Sequence, residues 1–414
     1  MKTKTRNKPL LVVALLTGLF SHSLMAEQLE PSYSEAISLS GLAEKVYQRL
    51  PGKAAEGKYE QLKQANDAVS STLFAAPATA NLTHFNDAIG SSDGFQEWEG
   101  GVDLPLWLPG QKQKQQALSD KLAAELPAYQ QQLKLQASAE VRRVLWQVKL
   151  AEARVQQATI AWETAQKLEQ DVDNRVAAGD LPTTERLLAS SNTLETLSNK
   201  VAAQFKLTQQ LKTYFLITGE TQLPTVIEET VIEAVQLEQN HPQLLMQDQI
   251  IARLQAQMGV AHFDGSVNPN LSVGVRRERG DFDEDFNNSL GLGISFAFDD
   301  HRFSQAAIAQ ASAELADAQV TRQTLLRDLN TQLLAQQQQL ASSEQQLEVV
   351  TKQDKTTQQY YQLQKQAFDL GEINLIDLLR SQVLANNSRS RKRELEVQLQ
   401  QQKAAVNQAM GVLL

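Results

Sequence analysis

Two stretches of this chain run for almost seventy residues with little to stop a helix. Residues 302–370 contain neither Gly nor Pro, and residues 111–178 contain no Gly and a single proline, Pro127. Both are rich in Ala, Leu, Gln, Glu and Lys, which lose little on entering a helix. At 1.5 Å per residue, each uninterrupted helix would be roughly 100 Å long. Such a helix cannot fold back into a compact globule and must pack lengthwise against partners. Leu326, Leu333, Leu340 and Leu347 recur at seven-residue spacing, the register of a coiled coil. Pro127 is expected to kink or split the first helix. Further helical runs follow each stretch, at roughly 183–217 and 373–410.

Composition narrows the class. Cysteine is absent, which excludes disulfides, thiolate metal sites, cysteine nucleophiles and a lipidated N-terminal cysteine. The net charge of −9 argues against a nucleic-acid partner. Hydrophobic residues reach 42%, so the chain is not a disordered one. No Gly-rich phosphate loop, Ser-His-Asp order or paired-histidine metal motif is found. We expect no enzymatic activity, no cofactor and no bound metal.

Residues 1–26 read as a cleaved export signal. Lys2, Lys4, Arg6 and Lys8 precede a short apolar core from Pro9 to Phe20, and cleavage is expected between Ala26 and Glu27. The apolar run is shorter than the ~20 residues a membrane-spanning helix needs. Removing its four basic residues takes the net charge from −9 to −13. An exported chain without a later apolar helix can enter a bilayer only as a β-barrel.

An internal repeat follows. An offset of 192 places Gly179-Asp180-Leu181 over Gly371-Glu372-Ile373, Glu185 over Asp377, and Val102, Leu104 and Leu106 over Ile294, Phe296 and Phe298. The first repeat spans 27–218, with an N-terminal helical segment, a strand pair at about 78–107 and a helical hairpin at 111–217. The second spans 219–414, with a helix at 243–262, a strand pair at about 269–298 and a hairpin at 302–410. The strands alternate with period two. Leu290, Leu292, Ile294, Phe296 and Phe298 are interleaved with Gly291, Gly293, Ser295 and Ala297. One apolar and one small or polar face is the pattern of a transmembrane barrel strand, although a half-buried soluble sheet alternates in the same way. Four strands cannot close a barrel alone, so more than one copy is required. The expected fold is mainly α, with long coiled-coil hairpins in two repeats and four strands per chain.

Gly179 and Gly371 end the two long helices and are expected to cap them in the left-handed conformation. Asp377 lies six residues past the second turn. Arg380 follows at i+3, so the two could form a plain surface ion pair, and Asp377 could simply offset the helix dipole. Glu278, Asp281, Asp283, Glu284 and Asp285 read as a solvated loop, not a calcium site.

Export signal, two repeats, and the order of strand pair then long hairpin together resemble the TolC-like outer-membrane efflux family. The specific matches are Arg175-Val176-Ala177-Ala178-Gly179-Asp180-Leu181, Gln366-Ala367-Phe368-Asp369-Leu370-Gly371-Glu372-Ile373, and Leu104-Pro105-Leu106-Trp107-Leu108-Pro109-Gly110-Gln111. Asn240-His241-Pro242-Gln243-Leu244 is similar to the family's Asn-Pro-x-Leu start, with His inserted. The resemblance implies a homotrimer with a shared twelve-strand barrel in the outer membrane lipid and a helical tunnel in the periplasm. It also implies two protein partners, a periplasmic adaptor and an inner-membrane transporter of the RND type. Gly179, Asp180, Leu181, Gly371, Glu372 and Ile373 would form adaptor-contacting tips, and Asp377 with Arg380 would stand at the periplasmic entrance. Arg380 departs from relatives that carry a second acid there, which weakens cation selectivity. The run Trp107-Leu108-Pro109-Gly110-Gln111 is similar to the heavy-metal branch (cobalt-zinc-cadmium or copper-silver systems), so metal cations are the expected cargo. Multidrug efflux and type I protein secretion are the alternatives. A periplasmic adaptor would carry one hairpin, not two, and an exported structural coiled coil would lack the alternating strands.

Overall fold

The computed structural model describes residues 30–232, 237–298 and 302–414. The export signal, together with Asp299, Asp300 and His301, lies outside the described residues.

The chain opens with a two-residue strand, β1 (Tyr33–Ser34), and the helices α1 (Leu39–Arg49) and α2 (Glu56–Ser71). The hairpin strands β2 (Thr79–Asn86) and β3 (Gln96–Pro105) follow, then the long helix α3 (Gln111–Ala178) and its returning helix α4 (Thr183–Thr218). A connecting segment carries β4 (Leu223–Pro224), which pairs with β1, and the short helix α5 (Leu237–Asn240). The order then runs through α6 (Pro242–Ala261), β5 (Asn270–Arg279), β6 (Asn287–Ser295), the long helix α7 (Gln305–Asp369) and α8 (Leu375–Ala409). Each long helix is covered by two shorter ones. α2 and α4 lie along α3, α6 and α8 lie along α7, and α3 also packs on α6 and α8.

The seam of α7 shows why these helices run side by side. Its less exposed positions step by four and three residues through Leu329, Leu333, Gln336, Leu340, Ser343, Leu347 and Val350. That is a 3.5-residue period, the spacing that keeps one face of a helix against a neighbour. The expected split at Pro127 does not occur, and α3 is continuous through it. A proline inside a helix costs ~3 kcal/mol through its missing N–H and its ring. Contacts with α2 and α6 outweigh that local loss, with Leu122, Glu125 and Leu133 buried on either side of it.

The largest core is an equatorial belt. Leu42, Val46 and Tyr47 of α1 meet Val141, Val144, Leu145 and Val148 of α3, and Leu211 and Tyr214 of α4 close it. Arg142 is 6% exposed at its edge. Its Nε and Nη2 donate to both carboxylate oxygens of Glu229 at 2.8 and 2.7 Å, and its Nη1 donates to the Val412 carbonyl at 3.0 Å. One guanidinium therefore ties α3, the connecting segment and the C-terminal residues together.

The four long strands form one antiparallel sheet in the order β2-β3-β5-β6. Register sorts its residues by face. One face carries the rows Leu82–Gly100–Val275–Leu290 and Val102–Val273–Leu292. The other carries Asn81–Gly101–Gly274–Gly291 and Asp103–Ser272–Gly293. Leu82, Leu290 and Leu292 on the apolar face are more than 70% exposed, so this sheet has no core of its own on that side. Among the described residues no helix is long and apolar enough to cross a membrane.

Candidate functional site

The two helix turns expected from the sequence lie together at the end of the molecule remote from the sheet. Gly179 has φ 84° and Gly371 has φ 77°. In the first turn the Gly179 N–H donates to Val176 O at 3.1 Å and the Asp180 N–H to Arg175 O at 2.8 Å. In the second, Gly371 donates to Phe368 O at 3.0 Å and Glu372 to Ala367 O at 2.8 Å. Both are Schellman closures, which satisfy carbonyls left over at the end of a helix. A Cβ at either glycine would meet nothing within 4 Å, so the positive φ alone demands glycine here.

Leu181 and Ile373 pack, half-buried, against one small apolar cluster built from both hairpins. Its buried members are Leu168, Val172, Ala189, Phe368, Leu375 and Leu378. Gly179, Asp180, Gly371 and Glu372 stay exposed around it. Burial in this cluster pushes the Tyr361 hydroxyl up from its ordinary pKa. Arg175, part of the first turn motif, joins the two tips. Its Nη1 donates to Phe368 O at 3.3 Å, its Nη2 to Asp369 at 3.1 Å, and its Nε lies 3.4 Å from Asp171. The available signal was its place in the last turn of a helix, where a cation suits the C-terminal dipole.

Asp377 occupies the first turn of α8. Its amide donates to the Asn374 side chain at 2.9 Å, and its carboxylate meets Arg380 at 3.4 Å, with both side chains substantially exposed. Within one chain this is the surface ion pair at i, i+3. The matching position on α4, Glu185, differs: its Oε2 is buried without a hydrogen-bond partner. Among the described residues, no group of three His, Cys, Asp or Glu side chains is placed to hold a metal ion.

Residues 234–412 match the model of the outer membrane efflux protein family. The second half of the chain is therefore similar to that family. The fold of the whole chain agrees with solved outer membrane channels. A CusC structure, described in terms of folding and transmembrane channel formation, is 13% identical; the match covers 92% of this chain and 94% of that one, with a TM-score of 0.71. The outer-membrane channel OprN is 17% identical, with 93% and 95% covered and a TM-score of 0.68. The CmeC outer membrane channel of Campylobacter jejuni is 14% identical, with 90% and 84% covered and a TM-score of 0.67. No curated protein matches by sequence. At these identities the structural likeness concerns the fold.

Proposed function

We propose that this protein is the outer-membrane channel of a tripartite efflux pump. Three copies would join their four-stranded sheets into a twelve-strand barrel, with the polar face around a lumen and the apolar face in lipid. The helices would continue that lumen as a periplasmic tunnel. The order of helix, strand pair, long helix and returning helix runs twice, which supports two copies of one unit, 27–218 and 219–414, after an export signal.

The observation that carries this reading is the sheet. It presents an apolar face on which Leu82, Leu290 and Leu292 stand uncovered, its two outer strands are open, and it is continuous with helices of ~100 Å. Such edges invite pairing with another chain. The surface supports the same conclusion. A compact monomer of 45.9 kDa exposes roughly 16,000 Å², whereas this chain exposes 26333 Å². Leu187, Leu194 and Val201 lie uncovered along α4 at seven-residue spacing, a coiled-coil stripe suited to a neighbouring copy.

The paired tips would dock a periplasmic adaptor, which in turn engages an RND-type transporter. Asp377 and Arg380 would flank the periplasmic entrance. Metal cations are the proposed cargo, supported by the Trp107-Leu108-Pro109-Gly110-Gln111 run. The decisive experiment is fractionation: we expect the protein in outer membranes as a trimer that dissociates on heating. Recovery as a soluble periplasmic protein would overturn the proposal. For the cargo, a deletion strain should become sensitive to zinc, copper or silver; sensitivity to organic compounds alone would overturn the metal assignment.

A further inference from the structure

Three arginines near the loop end of β5 meet different fates, and the difference points to a partner. Arg276 lies on the polar face and is neutralised there. Its Nε is 2.8 Å from Glu97, its Nη2 is 2.6 Å from Glu278, and Glu99 stands at 3.7 Å. Arg277 and Arg279 have the opposite parity and belong to the apolar face, in register with Trp98 and Gln96. Every carboxylate of the four strands, Glu97, Glu99, Asp103 and Glu278, is on the other face. Among the described residues, neither Arg277 nor Arg279 has a carboxylate partner. They rest instead on aromatic rings. Arg277 lies 4.3 Å and Arg279 4.9 Å from the centre of Phe286, and Arg279 is 5.4 Å from Phe282. The Nε of Arg279 is buried with no hydrogen-bond partner.

Below these cations the same face is grooved. Gly100, flanked by Leu82 and Val275, leaves a gap in the apolar surface. The gap is part of a depression of about 520 Å³ walled by Leu82, Trp98, Val275 and Leu290, with Arg277, Asn288 and Ser289 at its loop end. Trp98 is held in place by stacking on His84, ring centroids 4.0 Å apart. A largely apolar depression that ends at a guanidinium with no carboxylate ion-pair partner fits an acyl chain attached to a phosphate. Guanidinium groups bind phosphate through paired N–H donors, and a Trp at that level suits the boundary between hydrocarbon and headgroup.

We propose that Arg277, Arg279 and the groove at Gly100 form a binding site for an anionic, phosphate-bearing membrane lipid at the loop end of the barrel. The site rests on the barrel reading above, because it requires the apolar face to meet the bilayer. It adds a lipid of definite charge and a definite place to that reading.

The test uses the full-length trimer reconstituted in phosphatidylcholine vesicles that contain a minor fraction of brominated phosphatidylglycerol, or of brominated phosphatidylcholine. The Trp98 signal is isolated by subtracting the fluorescence of Trp98→Phe, since the chain has four tryptophans. One basic side chain at an anionic lipid surface is expected to give about fivefold enrichment. Brominated phosphatidylglycerol should therefore quench Trp98 severalfold more effectively than the zwitterionic lipid. Arg277→Gln/Arg279→Gln should abolish the preference. Arg327→Gln/Arg391→Gln, which removes the same charge from exposed helix positions, should keep it. Added inorganic phosphate should leave it unchanged. Equal quenching by the two lipids in the wild type, or loss of the preference to inorganic phosphate, would overturn the lipid site. Quenching by neither lipid would instead overturn the barrel reading.

Discussion

Where the two halves of the chain meet around Arg142, the contact is broad and dry; where they meet around Arg175, it is narrow and wet. The belt buries side chains from α1, α3, α4 and α8 in one cluster, and its ion pair is almost inaccessible to water. The tip cluster has six buried residues, and the pairs that flank it, Arg175–Asp369 and Arg380–Asp377, are exposed enough for water to screen them. The belt thus holds the halves in a fixed relation, while the tips are held weakly enough to rearrange if, as proposed, a partner docks there. The proposed duct, anchored at one level and engaging another protein at the next, would need that contrast.

The largest effect is expected from breaking the belt. Arg142→Ala strands Glu229 in a buried position with only Asn407 as a side-chain donor, at 3.1 Å. Removing one partner of a buried pair costs about 3–5 kcal/mol. Chemical unfolding followed by circular dichroism should show that loss. Arg175→Ala, the same change at the tip, should cost under about 1 kcal/mol. Equal losses at both places would erase the distinction between belt and tip.

Acid should also weaken the fold, at the start of α6. His241 caps α6, accepting the Gln243 N–H on Nδ1 at 3.3 Å, and is 2% exposed against the turn at Gly411. Burial lowers its pKa from 6.5 to about 4, so the folded chain holds it neutral. The unfolded chain then takes up the proton first as the pH falls. Stability is full above pH ~6.5 and is lost progressively down to pH ~4, by about 3 kcal/mol in total. The thermal midpoint of the wild type should fall through that window. His241→Asn, which retains a capping acceptor without a titrating ring, should flatten the curve by the same amount. An unchanged slope would show that other groups govern the acid response.

At the tips, Gly179→Ala and Gly371→Ala should each cost about 1–2 kcal/mol, because a Cβ is disfavoured at positive φ. The surroundings add no clash at either site. Two equal values would indicate that the turns are held alike. A markedly larger loss at Gly371 would show that its turn is buried against something the single chain does not contain.

Much of this was legible before any coordinates. The seven-residue leucines mark the seam of α7, the two glycines mark the turns, and the alternating residues mark the strands. These are local patterns with a fixed period, and local patterns survive in a sequence. The remainder was not local. Pro127 signalled a break that packing from α2 and α6 overrides. Arg142 and Glu229 lie 87 residues apart in chain segments with no shared pattern. The different fates of Arg276 and Arg277 depend on strand register, which the spacing of charges does not reveal.

The smallest expected effect separates the two tips from each other. α8 begins with Asn374, whose side chain accepts the Asp377 N–H, whereas α4 begins after Pro182, which offers no side-chain cap. A side-chain cap contributes about 1 kcal/mol, a factor of roughly five in local opening. Amides in the first turn of α8 should therefore exchange with deuterium more slowly than those in the first turn of α4. Asn374→Ala should bring the two to similar rates and leave α4 unchanged. Asp377 depends on that cap for its position, since its own amide is the group Asn374 accepts. If Asp377 stands at the entrance, Asn374→Ala should alter the block of single channels by divalent cations in the same direction as Asp377→Asn, but more weakly. A full effect of Asp377→Asn with none from Asn374→Ala would show that the carboxylate is held by the neighbouring chains and not by its own helix cap.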